Sequence, residues 1–240
     1  MDFFDPCGWM FCLSSAAKGS SVTNGLTIPH LSDMIKNIRS ATHVSLFKEK
    51  NIMPRKFMFT REEILAAALD LAREQGIAAV TARRLGEKLG SSSKPVFSLF
   101  ENMEDVLSAV MEAADGLYQN YLKEDMARGK YPPYKASGMA YIRFAKEEKE
   151  LFKLLFMRDR SQESIEEKGE NKPLIELVQQ DLGISEEDAR LFHLEMWIYV
   201  HGMATMLATS YLELDEGLIS RVLTDGYEGM KVRYIGGGSI

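Results

Sequence analysis

Cysteine is almost missing from this chain: Cys7 and Cys12 are the only two in 240 residues, both within the first dozen positions. Neither a disulfide framework nor a zinc site can be assembled from that pair, so the rest of the chain suits a reducing compartment. Long apolar runs are missing too, and nothing approaches the roughly 20 residues that a membrane-spanning helix needs. The apolar opening MDFFDPCGWMFCLSS carries Asp2 and Asp5 where a secretory signal needs positive charge. These absences predict a cytoplasmic protein with no membrane partner. Catalytic motifs are equally scarce, with no G-x-S-x-G, no phosphate-binding glycine loop and no His-Glu-x-x-His. His193 and His201 stand eight residues apart on one expected helix, about 12 Å along its axis, too far to share a metal ion within one chain. Glu147, Glu148 and Glu150 read as a solvated acidic turn with no base or metal beside them. The expectation is a protein that is not an enzyme and needs neither cofactor nor metal.

Positive charge is in deficit overall, with a formal net charge of −6, but the deficit is uneven. From Met53 to Phe100 there are eight Lys and Arg against five Asp and Glu, whereas the residues beyond Phe100 carry a net charge of −10. A mildly basic module joined to an acidic body suits a protein with only one end near phosphate. Residues 1–52 show no sustained period, only scattered Gly, Ser, Thr and Pro, and are expected to lack a fold of their own. They read either as an extension upstream of a start at Met53 or as an N-terminal arm. Arg39, Lys48 and Lys50 are too dispersed for a basic arm, which favours the extension.

Patterning begins at Thr60, an N-cap residue followed three positions later by Glu63, with Ile64, Leu65, Ala68, Leu71 and Ala72 as an apolar face and Gly76 as its stop. Ile77 to Val80 is a short apolar connection. Thr81 to Phe100 then reads as two short helices meeting at Gly90, with Ala82, Leu85 and Leu89 as the stripe of the first and Val96, Phe97 and Phe100 as that of the second. Gly86 would let a neighbouring helix approach, and the serines after Gly90 would cap the second helix. This is a helix-turn-helix layout, although an ordinary helical hairpin in an all-α core fits the same residues. Asn102 then caps a long helix with Glu104 and Asp105 in its first turn, where the helix dipole favours acids.

The run FTREEILAAALDLAREQGIAAVTARRLGEKLG continuing through SSSKPVFSLFENMEDVLSAV resembles, without a gap from Thr60 to Val110, the DNA-binding domain of the TetR family of transcriptional regulators. The resemblance implies a recognition helix over about Ser92 to Leu99. Ser92, Ser93, Lys94, Pro95, Phe97 and Ser98 would be its DNA-facing candidates, and Thr81 and Arg83 would hold phosphate from the preceding helix. Lys94 is the one long cationic donor and would take either a guanine edge or a phosphate. Phe97, Leu99 and Met103 stand where family members commonly carry Tyr, His and Lys, so three polar phosphate donors are absent. Arg55, Lys56 and Arg61 are the candidates to replace them.

Beyond the long helix, Tyr131-Pro-Pro-Tyr134 is expected to break it, with new helices over about Lys135 to Lys146, through the apolar segment containing Leu151, Phe152, Leu155 and Phe156, and from Pro173 to Gln180. Ser161 to Glu170 reads as a link. Ser185 and Asp188 cap the longest pattern, Glu186 to Glu213, and a last helix covers about Glu216 to Val232 before a flexible GGGSI tail. This order resembles the regulatory half of TetR-family proteins, and the segment WIYVHGMATM resembles a Trp-x-x-x-His-Gly pattern of some members. The resemblance implies a homodimer through the last two helices. Gly202, Ala204, Thr205, Ala208 and Thr209 are small enough for close approach, and Leu207, Tyr211, Val222 and Leu223 could fill the seam. Tyr118, Tyr121, Tyr141, Phe144, Phe156, Met196, Trp197, Tyr199 and Met203 are candidates to line a pocket for an apolar or aromatic effector, with simple core filling as the alternative for each.

The expected architecture is therefore all-α, with an extension over 1–52, a three-helix DNA-binding domain over 53–102, a helical ligand-binding and dimerisation domain over 103–235 and a tail over 236–240. The expected function is a repressor that a small molecule releases from a pseudo-palindromic, double-stranded operator. The alternative is a helical ligand-binding or interaction protein that has lost specific DNA binding.

Overall fold

The computed structural model describes residues 59–159, 161 and 172–236. The expectations for the extension, for Arg55 and Lys56, for the link after Ser161 and for the last four residues lie outside the described residues. Those described form α-helices and connecting turns with no strand among them: α1 (Arg61–Gln75), α2 (Ala82–Lys88), α3 (Val96–Leu99), α4 (Met103–Arg128), α5 (Pro133–Glu147), α6 (Lys149–Phe156), α7 (Lys172–Leu182), α8 (Glu186–Ala208) and α9 (Glu216–Ile235). A single 3-10 turn, Ile77–Ala79, joins α1 to α2. The all-α reading holds.

The helix starts follow from local chemistry. Thr60 accepts from the Glu63 amide while the Glu63 carboxylate accepts from the Thr60 amide at 2.8 Å, a reciprocal cap that stabilises α1 by about 1 kcal/mol. Thr81, Asn102, Ser185 and Asp215 cap α2, α4, α8 and α9 by the first of these bonds alone, each side chain accepting from the amide three residues on. Helix ends depart further from expectation. The long helix α4 stops at the left-handed Gly129, before the proline pair, and Pro133 then opens α5 two residues earlier than expected because proline suits the first turn. α8 ends at Ala208 instead of running to Glu213: Ser210 turns left-handed, and the amides of Tyr211 and Leu212 fold back onto the Met206 carbonyl. α4, with 26 residues, is accordingly longer than α8. α9 continues past Val232 to Ile235.

The body is arranged around α5, which buries Ala136, Met139, Ala140, Tyr141, Ile142, Phe144 and Ala145 and is packed by α4, α6, α7, α8 and α9. Where α4, α5 and α6 meet, Tyr118, Tyr141, Phe144, Phe152 and Phe156 form a closed aromatic cluster with mostly edge-on rings, among them Tyr141 and Phe156 at 4.9 Å between centroids. Each such pair adds about 0.5–1.5 kcal/mol beyond burial. Leu151, Phe152, Leu154 and Leu155 are buried as the apolar α6 sequence requires, while Phe156 is half-buried at the cluster's edge. Arg143 on α5 meets Asp125 at 3.1 Å and Glu124 at 3.2 Å, tying the cluster's outer side to α4. The N-terminal helices join the body through α1, which packs on α4 and α6, with Arg73 paired to Glu148 at 2.6 Å.

Candidate nucleic-acid interface and body cavity

The turn between α2 and α3 is built around two glycines. Gly90 is left-handed (φ +64°); its amide bonds the Glu87 carbonyl and the Ser91 amide bonds the Gly86 carbonyl at 2.8 Å, the paired closure that ends a helix at a glycine. A Cβ on Gly86 would lie 2.9 Å from the Ser91 oxygen and the Ser92 carbonyl carbon. Gly86 therefore admits the turn itself, and not a neighbouring helix as its position suggested. The serines do not cap α3: Pro95 occupies the cap position without a side-chain bond, and the Ser93 carbonyl accepts from the Val96 amide. α3 is consequently only four residues long, and Ser92 to Pro95 precede it in the turn instead of forming its first helical turn.

Leu85, Val96 and Phe100 are buried and anchor this unit, but Phe97 is 49% exposed. The expected apolar stripe thus splits, and Phe97 belongs to the outward side together with Thr81, Arg83, Ser92, Lys94 and Ser98, all exposed. Ser93 and Pro95 are half-buried. Lys94 makes no ion pair among the described residues, whereas Arg83 is bonded to Glu87 at 2.9 Å and Lys88 reaches Glu74 at 3.2 Å. The Ser98 hydroxyl donates to the Lys94 carbonyl, so its proton is held within the helix turn. Thr81 accepts from the Arg84 amide and keeps its own proton to donate. Arg61 is not a free phosphate donor: it donates to the Leu99 carbonyl at 2.9 Å, pairs with Asp105 at 3.1 Å and covers the Phe100 ring at 4.0 Å. Its part is to fasten the start of α1 to the end of α3 and the start of α4.

A cavity of about 680 Å³ lies in the body between α5, α7, α8 and α9. Leu174, Met196, Val200 and Leu223 supply apolar wall, Tyr134, Trp197 and Tyr227 supply rings, and Lys135, Asp181 and His193 are among the polar groups. The Tyr227 hydroxyl donates to Asp181, Lys135 donates to Thr224 at 2.7 Å, and the Tyr134 hydroxyl sits 3.0 Å from His193 Nδ1. Burial lowers the His193 pKa to about 4, so its ring is neutral near pH 7. Behind the cavity, His201 stacks on Trp197 at 4.9 Å and its Nδ1 meets the Tyr141 hydroxyl at 2.8 Å.

Of the residues read as pocket candidates, Met196 and Trp197 line this cavity. Tyr118, Tyr141, Phe144 and Phe156 belong to the closed aromatic cluster, Tyr121 lies on its outer side donating to Glu147, Met203 is buried and Tyr199 is exposed against α9. Tyr134, His193 and Tyr227 were missed. The signal available in the sequence was the spacing of His193 and Trp197, four residues apart and so on one helix face. The seam residues also separate: Ala204, Leu207, Ala208 and Leu223 are buried within the chain, Val222 is half-buried, and Tyr211 is 78% exposed beyond the end of α8. The exposed large hydrophobic side chains of these helices are instead Ile198, Tyr199 and Met206 on α8 and Leu218, Val232 and Ile235 on α9, with open space above Gly202 and Gly229. Among the described residues no group of three or more His, Cys, Asp or Glu could hold a metal ion, and no helix is long and apolar enough to cross a membrane.

Comparison with known proteins matches both halves of the chain. Residues 64–110 fit the model for bacterial regulatory proteins of the tetR family, and residues 134–224 fit that for the tetracyclin repressor-like C-terminal domain. A TetR-like transcriptional regulator from Rhodococcus sp. RHA1, known from its crystal structure, shares the fold with a TM-score of 0.54 at 16% sequence identity, over 75% of this chain and 100% of that one. A search of curated proteins finds no match. With an N-terminal helix-turn-helix and a helical C-terminal half each matched in order, the chain belongs to the TetR family of DNA-binding transcriptional regulators.

Proposed function

We propose that the protein is a cytoplasmic homodimeric repressor that binds a pseudo-palindromic operator and leaves it when a small apolar or aromatic molecule enters the body cavity. The observation that carries this reading is the outward side of the α2–α3 unit, where Lys94 makes no ion pair among the described residues and Phe97 is exposed while Leu85, Val96 and Phe100 hold the backbone from behind. Lys94 supplies a long donor for a base edge or phosphate, Thr81 and Arg83 bind phosphate, and Phe97 makes apolar contact, of the kind a thymine methyl offers. One copy covers half a site. A two-fold dimer through the exposed sides of α8 and α9 sets two α3 helices about 34–36 Å apart or a multiple of it. A ligand in the cavity acts by favouring a conformer with a different separation.

The test is selection of bound fragments from genomic DNA, followed by gel-shift titration of the enriched site with the parent and Lys94→Glu. Charge reversal is expected to abolish specific binding and leave the dimer intact. Parent-like binding by the variant would remove Lys94 from the interface. No enrichment of any duplex by the parent would favour the other reading, a helical ligand-binding protein without specific DNA affinity.

A further inference from the structure

Lys135 is a cation in an acidic body with no acid beside it. It is half-buried in the wall of the cavity, in the first turn of α5, and makes no ion pair among the described residues. Other cations of the body are placed differently: Lys130 pairs with Glu216 at 2.6 Å and Arg233 with Glu195 at 2.8 Å. Burial pulls the Lys135 pKa below its ordinary value, with no carboxylate charge to hold it up. An anion beside the ammonium would restore what burial removes.

The contacts of Lys135 fix where that ammonium is. Nζ donates to the Thr224 hydroxyl at 2.7 Å, bridging α5 and α9, and lies 4.8 Å from the centre of the Tyr131 ring. Thr224 also lines the cavity and is exposed, so the ammonium is held at a margin that water reaches. The Thr224 hydroxyl spends its own proton on the Ser220 carbonyl at 3.0 Å and meets Lys135 with a lone pair. An ammonium carries three N–H groups, so after the hydroxyl and the ring a donor is left for a ligand. The acids that line the cavity are engaged or hydrated: Asp181 accepts from Tyr227, and both Asp181 and Glu228 are exposed. Water screens such carboxylates and weakens their repulsion of a bound anion.

We propose that Lys135 is the head-group residue of the cavity, so that the effector is an apolar molecule carrying an anionic oxygen group, a carboxylate in the simplest case, which accepts from Nζ beside Thr224. This rests on the reading of the cavity as the effector site. The apolar part of the ligand then lies against Leu174, Met196, Val200 and Leu223. A bond from an ammonium to an anionic oxygen is roughly twice as strong as one between neutral groups. A ketone of the same size gains less, and an amine meets like charge.

Equilibrium dialysis of the full chain near neutral pH tests this with two matched sets: decanoate, 2-decanone and decylamine, then diphenylacetate, benzophenone and diphenylmethylamine. The carboxylate is expected to bind tighter than the ketone by roughly tenfold or more, and the amine weakest. In Lys135→Met, which keeps the apolar stem, the carboxylate's advantage should shrink about tenfold with ketone affinity unchanged. Lys135→Arg should keep most of the advantage. Lys135→Gln serves as the second neutral variant, with circular dichroism as the folding control for all three. Equal affinity of carboxylate and ketone in the parent, preference for the amine, or a carboxylate preference that survives both neutral substitutions overturns the head-group role while leaving the cavity as a ligand site. Binding of no member of either set overturns the small-molecule reading and the head-group role with it.

Discussion

His193 takes up a proton less readily in the fold than in the unfolded chain, because burial strips its ring of hydration. In the unfolded chain it titrates near 6.5, against about 4 in the fold. Between those values the unfolded chain holds the additional proton, so stability falls as pH drops from about 6.5 towards 4, by up to roughly 3 kcal/mol at the lower end. Urea denaturation of the parent and His193→Gln at several pH values in that window isolates the effect, since carboxylates titrate alike in both. The parent should lose stability more steeply than the variant; parallel slopes would mean that the imidazole is hydrated. At the same scale, Arg61 shows why a cation's sequence position says little about its task. Its place beside the recognition unit suggested phosphate, whereas Leu99 and Asp105 engage its two terminal nitrogens and Phe100 takes one face of its guanidinium.

Among the elements, the α2–α3 turn is sensitive to a single methyl group. Gly86→Ala would press a Cβ against turn backbone at 2.9 Å, where no flexible side chain can give way. The expected cost is about 1–3 kcal/mol, read as a lower thermal midpoint, together with weakened operator binding as the Ser91 to Ser93 backbone shifts. Gly129→Ala, at a left-handed position with open space, should cost about 1–2 kcal/mol from backbone strain alone and leave DNA binding unchanged. Helix starts were legible because a cap is a local pattern: Thr60 with Glu63, Asn102 and Ser185 each announce their helix in the sequence. Ends were less so. The close of α8 depends on amides folding back to Met206, and the shortness of α3 depends on where Pro95 falls in the turn, and neither leaves a periodic trace. In a four-residue helix a stripe cannot be told from its reverse, which is why the sequence alone puts Phe97 both in the apolar stripe and among the DNA-facing candidates. In the body, aromatic composition marked the right helices but could not separate rings that fill one another's edges from rings that face a cavity.

For the whole molecule, the apolar side of α8 and α9 is the feature a single chain leaves unused. Ile198, Gly202 and Met206 lie on successive turns of α8, and Val232, 72% exposed, lies beyond Gly229 on α9. Gly202→Arg places a charge where another helix would have to approach. If the parent is the dimer of the proposed function, the variant should sediment as a monomer without losing helicity, and operator affinity should fall because half-sites are then bound singly. A Gly202→Arg protein that remains dimeric would place the interface elsewhere.

The clasp of Arg61 on Leu99, Phe100 and Asp105 ties the foot of α4 to the end of α3. With 26 residues, α4 is a lever about 39 Å long whose far end is gripped by Arg143 through Glu124 and Asp125. A tilt of roughly 5° about that grip would swing the foot by about 3 Å, the scale of a single hydrogen bond. Under the proposed release, the DNA-reading end need not deform to let go of its site; it has only to be carried out of register.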